Sequence, residues 1–375
     1  MLKPIAAAPL VAAGLLLAGP APAEIDFATL PAIAQPRPAR VALMDLTRAG
    51  ERLVAVGERG VIAYSDDSGA NWSQAAVPLS ATLTAVSFAD AQNGWAVGHG
   101  GAILHSSDGG ANWLQQFDGR QANQQLLQYA QEQVGTLEQA LDEADPDSEA
   151  GQDLEIAMED AGYLVEDAQL AVETGPADPF LDILMLDTNR GFAVGAYGML
   201  YTTSDGGEHW QISIGGIENP SRYHYYAIAS GADNTLYLCG EAGLLYRSLD
   251  GGTHWEQLDQ IYEGSLFGIL TQGDAVLTFG LRGHIFRSED RGETWTRIDS
   301  GVEQGLYGGT ALPGGDIVLF GAGGQVLRSS DGGRSFSARN HPSRSTFSEG
   351  IAGGDGDYLI AGMRGVVSMQ WEQRQ

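Results

Sequence analysis

The chain has 375 residues, 43% of them hydrophobic, with 20 basic against 48 acidic side chains and a net charge of −28. A surface this acidic repels nucleic-acid phosphates and anionic lipid headgroups, which argues against nucleic acid as a partner and against a lipid-docking role. The single cysteine, Cys239 in the apolar run LYLCG, excludes an internal disulfide and reads as a small buried hydrophobe.

Residues 1–23 read as a signal peptide. Lys3, the only lysine, supplies the positive start, residues 5–19 form the apolar stretch, and Ala21-Pro22-Ala23 is a small-x-small cleavage site before Glu24. The stretch is shorter than the roughly 20 residues of a spanning helix, so cleavage is expected. The mature chain is then periplasmic and does not insert into the membrane itself. A strand-like piece follows, EIDFATL at 24–30, and the first regular strand is VALMDL at 41–46.

A repeated turn then punctuates the chain. Six stretches read Ser-x-Asp-x-Gly-x-x-Trp or differ from it at one position: 65–72, 106–113, 203–210, 248–255, 288–295 and 329–336. Their aspartates are Asp67, Asp108, Asp205, Asp250, Asp290 and Asp331, and their closing aromatics Trp72, Trp113, Trp210, Trp255, Trp295 and Phe336. The aromatics recur every 40 to 45 residues, except for one interval of 97 that carries an insertion. Repeats of this period signify a propeller or solenoid array. Each unit contains three strands before the Asp turn and a fourth after it, and a Gly-ending turn between the second and third strands can be counted seven times. Glycine at the third position of that turn points to positive φ.

The last unit stops after VVSMQW at 366–371, without an Asp turn or a fourth strand. The expected fold is therefore an all-β, seven-bladed β-propeller spanning 24–375, with EIDFATL completing the seventh blade and closing the ring. The six aspartates sit on separate blades. Their expected role is structural, each accepting hydrogen bonds from its own turn while the aromatic packs against a sheet.

The insertion at 118–178 lies between blades two and three. Leu126, Ala130, Val134, Leu137 and Leu141 recur at helical spacing, as do Leu154, Ala157, Ala161 and Ala168, and Asp145-Pro146-Asp147-Ser148 separates the two runs. An acidic helical hairpin is expected, serving as an arm for a protein partner. No EF-hand spacing is present and no metal or other cofactor is expected.

These motifs resemble Asp-box or BNR repeats. The alternation of Ala96-Val97-Gly98 with the turn at 106–113, and of Ala193-Val194-Gly195 with that at 203–210, is similar to the photosystem II stability/assembly factor family. Apart from the insertion, the whole mature chain shares this resemblance. It implies a non-enzymatic protein that binds or assembles a membrane-protein complex. For a secreted member from a non-photosynthetic bacterium it implies an envelope complex, with a proton-driven, efflux-type transporter as one candidate partner. Arginines supply the candidate contacts: Arg59, Arg282 and Arg364 in the middle of second-to-third-strand turns, and Arg247, Arg287 and Arg328 just before the Ser of three consecutive boxes.

The alternative is a secreted glycan-binding or sialidase-like glycoside hydrolase propeller, since Asp boxes also occur in those enzymes. It needs Arg222, Tyr225, Tyr226 and Glu349 to converge at the centre, with His224 nearby. The sialidase Arg-Ile-Pro signature is absent, as Arg37 and Arg40 precede Pro38 and Val41.

Overall fold

The structure is a computed structural model that describes residues 30–312, 314–353 and 357–371. The signal peptide and all of EIDFATL except Leu30 lie outside the described residues. Seven antiparallel meanders follow one another along the chain, six of four strands and the last of three. Their first strands are Leu43–Ala49, Leu83–Phe88, Phe180–Met185, Tyr225–Ser230, Leu266–Gln272, Leu306–Ala311 and Phe347–Ala352. Each packs on the next, and the seventh returns to the first.

This arrangement corrects the expected seven-bladed β-propeller. No sheet is closed into a barrel. Each remains a separate sheet and meets its neighbours through side chains and a few backbone hydrogen bonds, such as that from the Ala76 N–H to the Ala111 carbonyl. Among the described residues the seventh sheet holds only Phe347–Ala352, Asp357–Gly362 and Val367–Gln370, all from the C-terminal end. The described segment that starts at Leu30 runs along the first sheet. The Ala32 N–H donates to the Val77 carbonyl at 3.1 Å, the Gln35 N–H to Gln74 Oε1 at 2.7 Å, and Ser80 Oγ to the Leu30 carbonyl at 2.8 Å. The seventh and first sheets are joined by a small cluster of Leu43, Leu46, Leu53, Ala55, Leu359 and Ala361. Three bonds add to it: Ser348 Oγ to the Leu43 carbonyl, Arg48 Nη2 to the Ala352 carbonyl, and the Val366 N–H to the Ala39 carbonyl.

The helices expected within the insertion at 118–178 are present. Two helices, α1 (Gly119–Glu143) and α2 (Glu149–Thr174), leave the second sheet and return to the third. Asp118 and Gln121 form a reciprocal capping box for α1, and Ser148 Oγ caps α2 by accepting from the Gly151 N–H. The base of α1 belongs to the core between the second and third sheets. Ala122 is buried with Phe117, Phe180, Tyr201 and Trp210, and Gln125 bridges the Trp210 carbonyl and the Ile212 N–H.

The six Asp turns share one hydrogen-bond scheme. The Ser or Thr hydroxyl donates to Asp Oδ1 at 2.7–3.0 Å and accepts the N–H of the second glycine position at 2.8–2.9 Å. Asp Oδ1 also accepts the N–H of the residue before the aromatic. That residue's own side chain reaches Oδ2 at 2.6–2.7 Å, and it is Asn71, Asn112, His209, His254, Thr294 or Ser335. The polar residue at this position escaped the sequence reading, although it recurs in all six turns. These bonds hold Asp205 and Asp290 down at about 2, led by the His209 N–H for the first and the Thr294 hydroxyl for the second.

Ser248→Ala tests the scheme. It strips the buried Gly252 N–H of its acceptor, so a loss of about 1–3 kcal/mol in chemical denaturation is expected. Ser248→Thr restores the bond, as Thr203 does in the third box. Equal destabilisation by both substitutions would show that the hydroxyl is not what holds the turn.

Candidate partner-binding face

A four-stranded meander places its first-to-second and third-to-fourth turns at one end. The second-to-third turns, and the connection to the next sheet, lie at the other. The Asp boxes thus occupy one end of the molecule, the box end. The opposite, tip end carries the second-to-third-strand turns together with the start and finish of the helical pair.

The tip-end turns are built for exposure. In the first, the Val61 N–H donates to the Glu58 carbonyl, and Arg59 (φ 57°) and Gly60 (φ 70°) both take left-handed conformations, as a type I′ turn requires. Positive φ was expected only at the third position. The second position shares it, and Tyr197, Ala242 and Arg282 accept it despite their Cβ, with φ of 52–58°. The third position is glycine for a further reason, because a Cβ at Gly243 would lie 1.7 Å from the Tyr262 carbonyl oxygen. The turn backbone is therefore pressed against the connection that leads on to the next sheet, and the middle residue is pushed outward.

Arg59, Arg282 and Arg364 are exposed at three of these tips, and none forms an ion pair among the described residues. Two follow exposed apolar residues, Leu281 and Met363, and Tyr197 is exposed at the corresponding place in the third sheet. An aromatic arc continues inward. Tyr197 lies against His224 (4.8 Å between ring centroids), Tyr226 against Phe267 (5.4 Å), and Phe267 against Tyr307 (5.2 Å).

The other three arginines lie elsewhere. Arg247 and Arg287 are only 6% and 7% exposed. Arg247 holds Glu256 and Glu293 at 2.8 and 2.7 Å and donates to the Arg291 carbonyl in the next sheet's box. Arg287 donates to the Gly332 carbonyl, again in the next box, and pairs with Glu289. Arg328 pairs with Asp316 at 2.6 Å and faces the Trp371 ring. These three tie strands and neighbouring sheets together at the box end, and the structure does not bring them to the tip end. Arg52 ties the first sheet to the second box in the same way, through the Gly109 carbonyl.

The residues required by the glycan alternative are dispersed. Tyr225 is buried against Tyr246, and Arg222 pairs with Asp167 of α2 at 3.0 Å. Only Tyr226 and Glu349 reach the central cavity, which measures about 330 Å³ and is lined by the first strands.

Three carboxyls face that cavity, and the sequence reading overlooked two of them. Asp45 accepts the N–H groups of Leu46 and, in the second sheet, Val86. Asp182 accepts those of Ile183 and, in the fourth sheet, Ile228. Glu349 accepts those of Gly350 and, in the sixth sheet, Gly309. Each thereby fastens one first strand to its neighbour. Burial, the largest cause, raises Asp45 to about 6, Asp182 to about 7 and Glu349 well above the usual carboxylate range. The phase that exposed them is readable: Leu43, Phe180 and Phe347 each stand two residues before an acid.

The model of the photosynthesis system II assembly factor YCF48 family matches residues 38–133 and 164–309, more than half of the chain. The chain belongs to this family. The unmatched stretch 134–163 comprises the far ends of α1 and α2 and their connection. Among solved structures, one described as YCF48 bound to D1 peptide is 17% identical, with a TM-score of 0.62 over 90% of this chain and 95% of that one. YCF48 from Cyanidioschyzon merolae is 16% identical, with a TM-score of 0.60 over 90% and 98%. The WD40 β-propeller domain of Doa1 is 11% identical, with a TM-score of 0.59 over 92% and 97%. No curated protein matches the chain. At these identities the likeness concerns the fold, a β-propeller arrangement of separate sheets around a centre. Membership in an assembly-factor family, together with the dispersed glycan-site residues, sets the enzyme reading aside.

Proposed function

We propose that the chain is a non-enzymatic scaffold that binds an extramembrane segment of a membrane-protein complex through its tip end and assists assembly of that complex. The observation that carries this reading is the set of three exposed arginines, Arg59, Arg282 and Arg364, on strained or tightly pressed turns beside exposed Tyr197, Leu281 and Met363. Arginine beside an apolar anchor is the composition of an interface centre. In so acidic a chain these arginines select a segment bearing carboxylates. A family relative bound to a D1 peptide supports peptide recognition on this fold. The leader-like residues 1–23 support a periplasmic location peripheral to an envelope complex, with a proton-driven transporter as one candidate. No helix among the described residues is long and apolar enough to cross a membrane.

The test is affinity purification of the tagged chain from gently solubilised membranes. Wild type is expected to retain a membrane-protein complex. The Arg59→Glu/Arg282→Glu/Arg364→Glu variant is expected to lose it, with stability changed by no more than about 0.5 kcal/mol per site. Recovery of free chain alone from wild type, or undiminished recovery with the variant, would refute the proposal.

A further inference from the structure

A surface helix normally buries one apolar stripe and shows a polar face to water. Helix α2 carries two. Ala161 and Ala168 are buried on the side that packs on α1, and Asn123 Nδ2 donates to the Ala171 carbonyl on this side. On the opposite side Ile156, Tyr163 and Leu170 are 61%, 56% and 58% exposed. They stand seven residues apart, so they line up along one side of the helix at steps of about 10 Å. Acids border them closely: Glu159 and Asp160 after Ile156, Glu166 and Asp167 after Tyr163, and Glu173 after Leu170. The helix has eight acidic residues and neither lysine nor arginine. The pair between Arg222 and Asp167, at 3.0 Å, anchors α2 to the ring and fixes the direction in which the stripe points.

We propose that this outer side of α2 docks a basic amphipathic helix from a partner protein. The proposal rests on reading the chain as a partner-binding scaffold and adds a second contact, separate from the arginine tips. Apolar residues at heptad spacing fill in around Ile156, Tyr163 and Leu170. Lysine or arginine on both borders meets the flanking carboxylates, as the charged borders of a coiled-coil seam do. Charge decides the occupant. A second copy of a chain with net charge −28 would bring acid against acid, and an anionic lipid surface is repelled in the same way. An uncharged apolar segment would desolvate Glu159, Asp160, Glu166 and Glu173 without pairing them with a charge.

The experiment titrates the full mature chain against fluorescent synthetic peptides by anisotropy. One peptide, about three heptads long, carries leucine at heptad positions bordered by lysine and arginine. A second has the same composition scrambled, and a third has glutamate borders. The ordered basic peptide should bind at least about tenfold more tightly than either control, a difference of about 1.4 kcal/mol. The Ile156→Ser/Tyr163→Ser/Leu170→Ser variant should lose at least that factor while keeping its helical circular dichroism and thermal midpoint.

Equal binding of ordered and scrambled peptides, or unchanged binding by the triple variant, would reduce the surface to unspecific charge and overturn the proposal. So would concentration-dependent dimerisation that the triple variant abolishes. Tighter binding to phosphatidylglycerol vesicles than to the ordered peptide would overturn it as well. The Arg59→Glu/Arg282→Glu/Arg364→Glu variant should bind the ordered peptide like wild type. Should peptide discrimination hold while no membrane complex co-purifies, the functional reading falls and the helix-docking surface stands. A complex retained by wild type without peptide discrimination gives the reverse.

Discussion

Raising the pH from about 5 to 8 is expected to lower the thermal midpoint, because three carboxyls in the central cavity resist ionisation. Unfolded, these groups titrate near 4. Folded, Asp45 is raised to about 6, Asp182 to about 7 and Glu349 further still, with burial as the leading cause in each. Below about pH 4 both states hold the protons and nothing is lost. Between about 4 and 7 the unfolded chain releases protons that the native chain retains. Stability therefore falls by up to about 1.4 kcal/mol per pH unit for each group, and levels off once the native groups also ionise. Among the described residues no lysine, arginine or histidine lines the cavity to oppose this.

The box aspartates act with the opposite sign. Asp205 and Asp290 are depressed to about 2, so their contribution is intact above about pH 4 and disappears as the pH falls towards 2. Maximum stability is accordingly expected between about pH 4 and 5. Asp45→Asn and Asp182→Asn should flatten the decline above pH 5, the latter at the higher pH. A midpoint that rises from pH 5 to 8, or a decline unchanged in both variants, would show that these groups ionise freely in the fold.

Trp95→Ala should cost about 3–5 kcal/mol, the range for removing a large buried aromatic. The side chain is 1% exposed and sits in Gly94–Gly98, the second strand of the second sheet. It packs with Phe117, Ile183, Met185, Tyr201 and Trp210 in the joint between two sheets, and its ring lies 4.6 Å from that of His105. Its Nε1 donates to Gln116 Oε1 and to the Gly206 carbonyl, both at 3.1 Å. The Gly206 bond fastens the second sheet to the third Asp box. For a chain of this size the midpoint should fall by roughly 4–7 °C. Trp95→Phe retains most of the packing and loses only the two hydrogen bonds, so about 1–2 kcal/mol is expected. A near-neutral Trp95→Ala would mean that the joint collapses around the vacancy and that sheet-to-sheet packing is far more plastic than its burial indicates.

Repetition made most of the architecture readable. The spacing from Asp67 to Trp72 recurs five more times, and a repeated interval of 40 to 45 residues identifies sheets without any knowledge of their contacts. Leu126, Ala130 and Val134 announced α1 by period alone, and Ser148 announced the start of α2. Pairing and burial were much less legible. The alternation in EIDFATL describes a strand, whereas the destination of the following segment depends on partners such as Gln74 and Val77 that no local pattern specifies. Arg282 and Arg287 look alike in sequence, yet one stands on an exposed tip and the other is buried beside the next box. Asp45 and Asp182 lay hidden in apolar strands, because a lone acid at one repeat phase carries no signal until the first strands are superimposed.

The joint between the last and first sheets has a consequence for the order in which the molecule is made. Every other joint links sheets that are neighbours in sequence, and each can set as soon as its second member leaves the ribosome. This one brings together Leu43 and Ser348, 305 residues apart, and waits for almost the whole chain. Closing so long a loop costs about 2 kcal/mol more than closing one of about 30 residues. It is sealed by six buried residues, against thirteen in the cluster between the first two sheets, and by no strand shared between the two ends among the described residues. Among the described residues the joint is thus a clasp rather than a seamless continuation. Transient opening under native conditions should begin there, so the amides of Phe347–Ala352 and Leu43–Ala49 should exchange their hydrogens before those of any other pair of first strands.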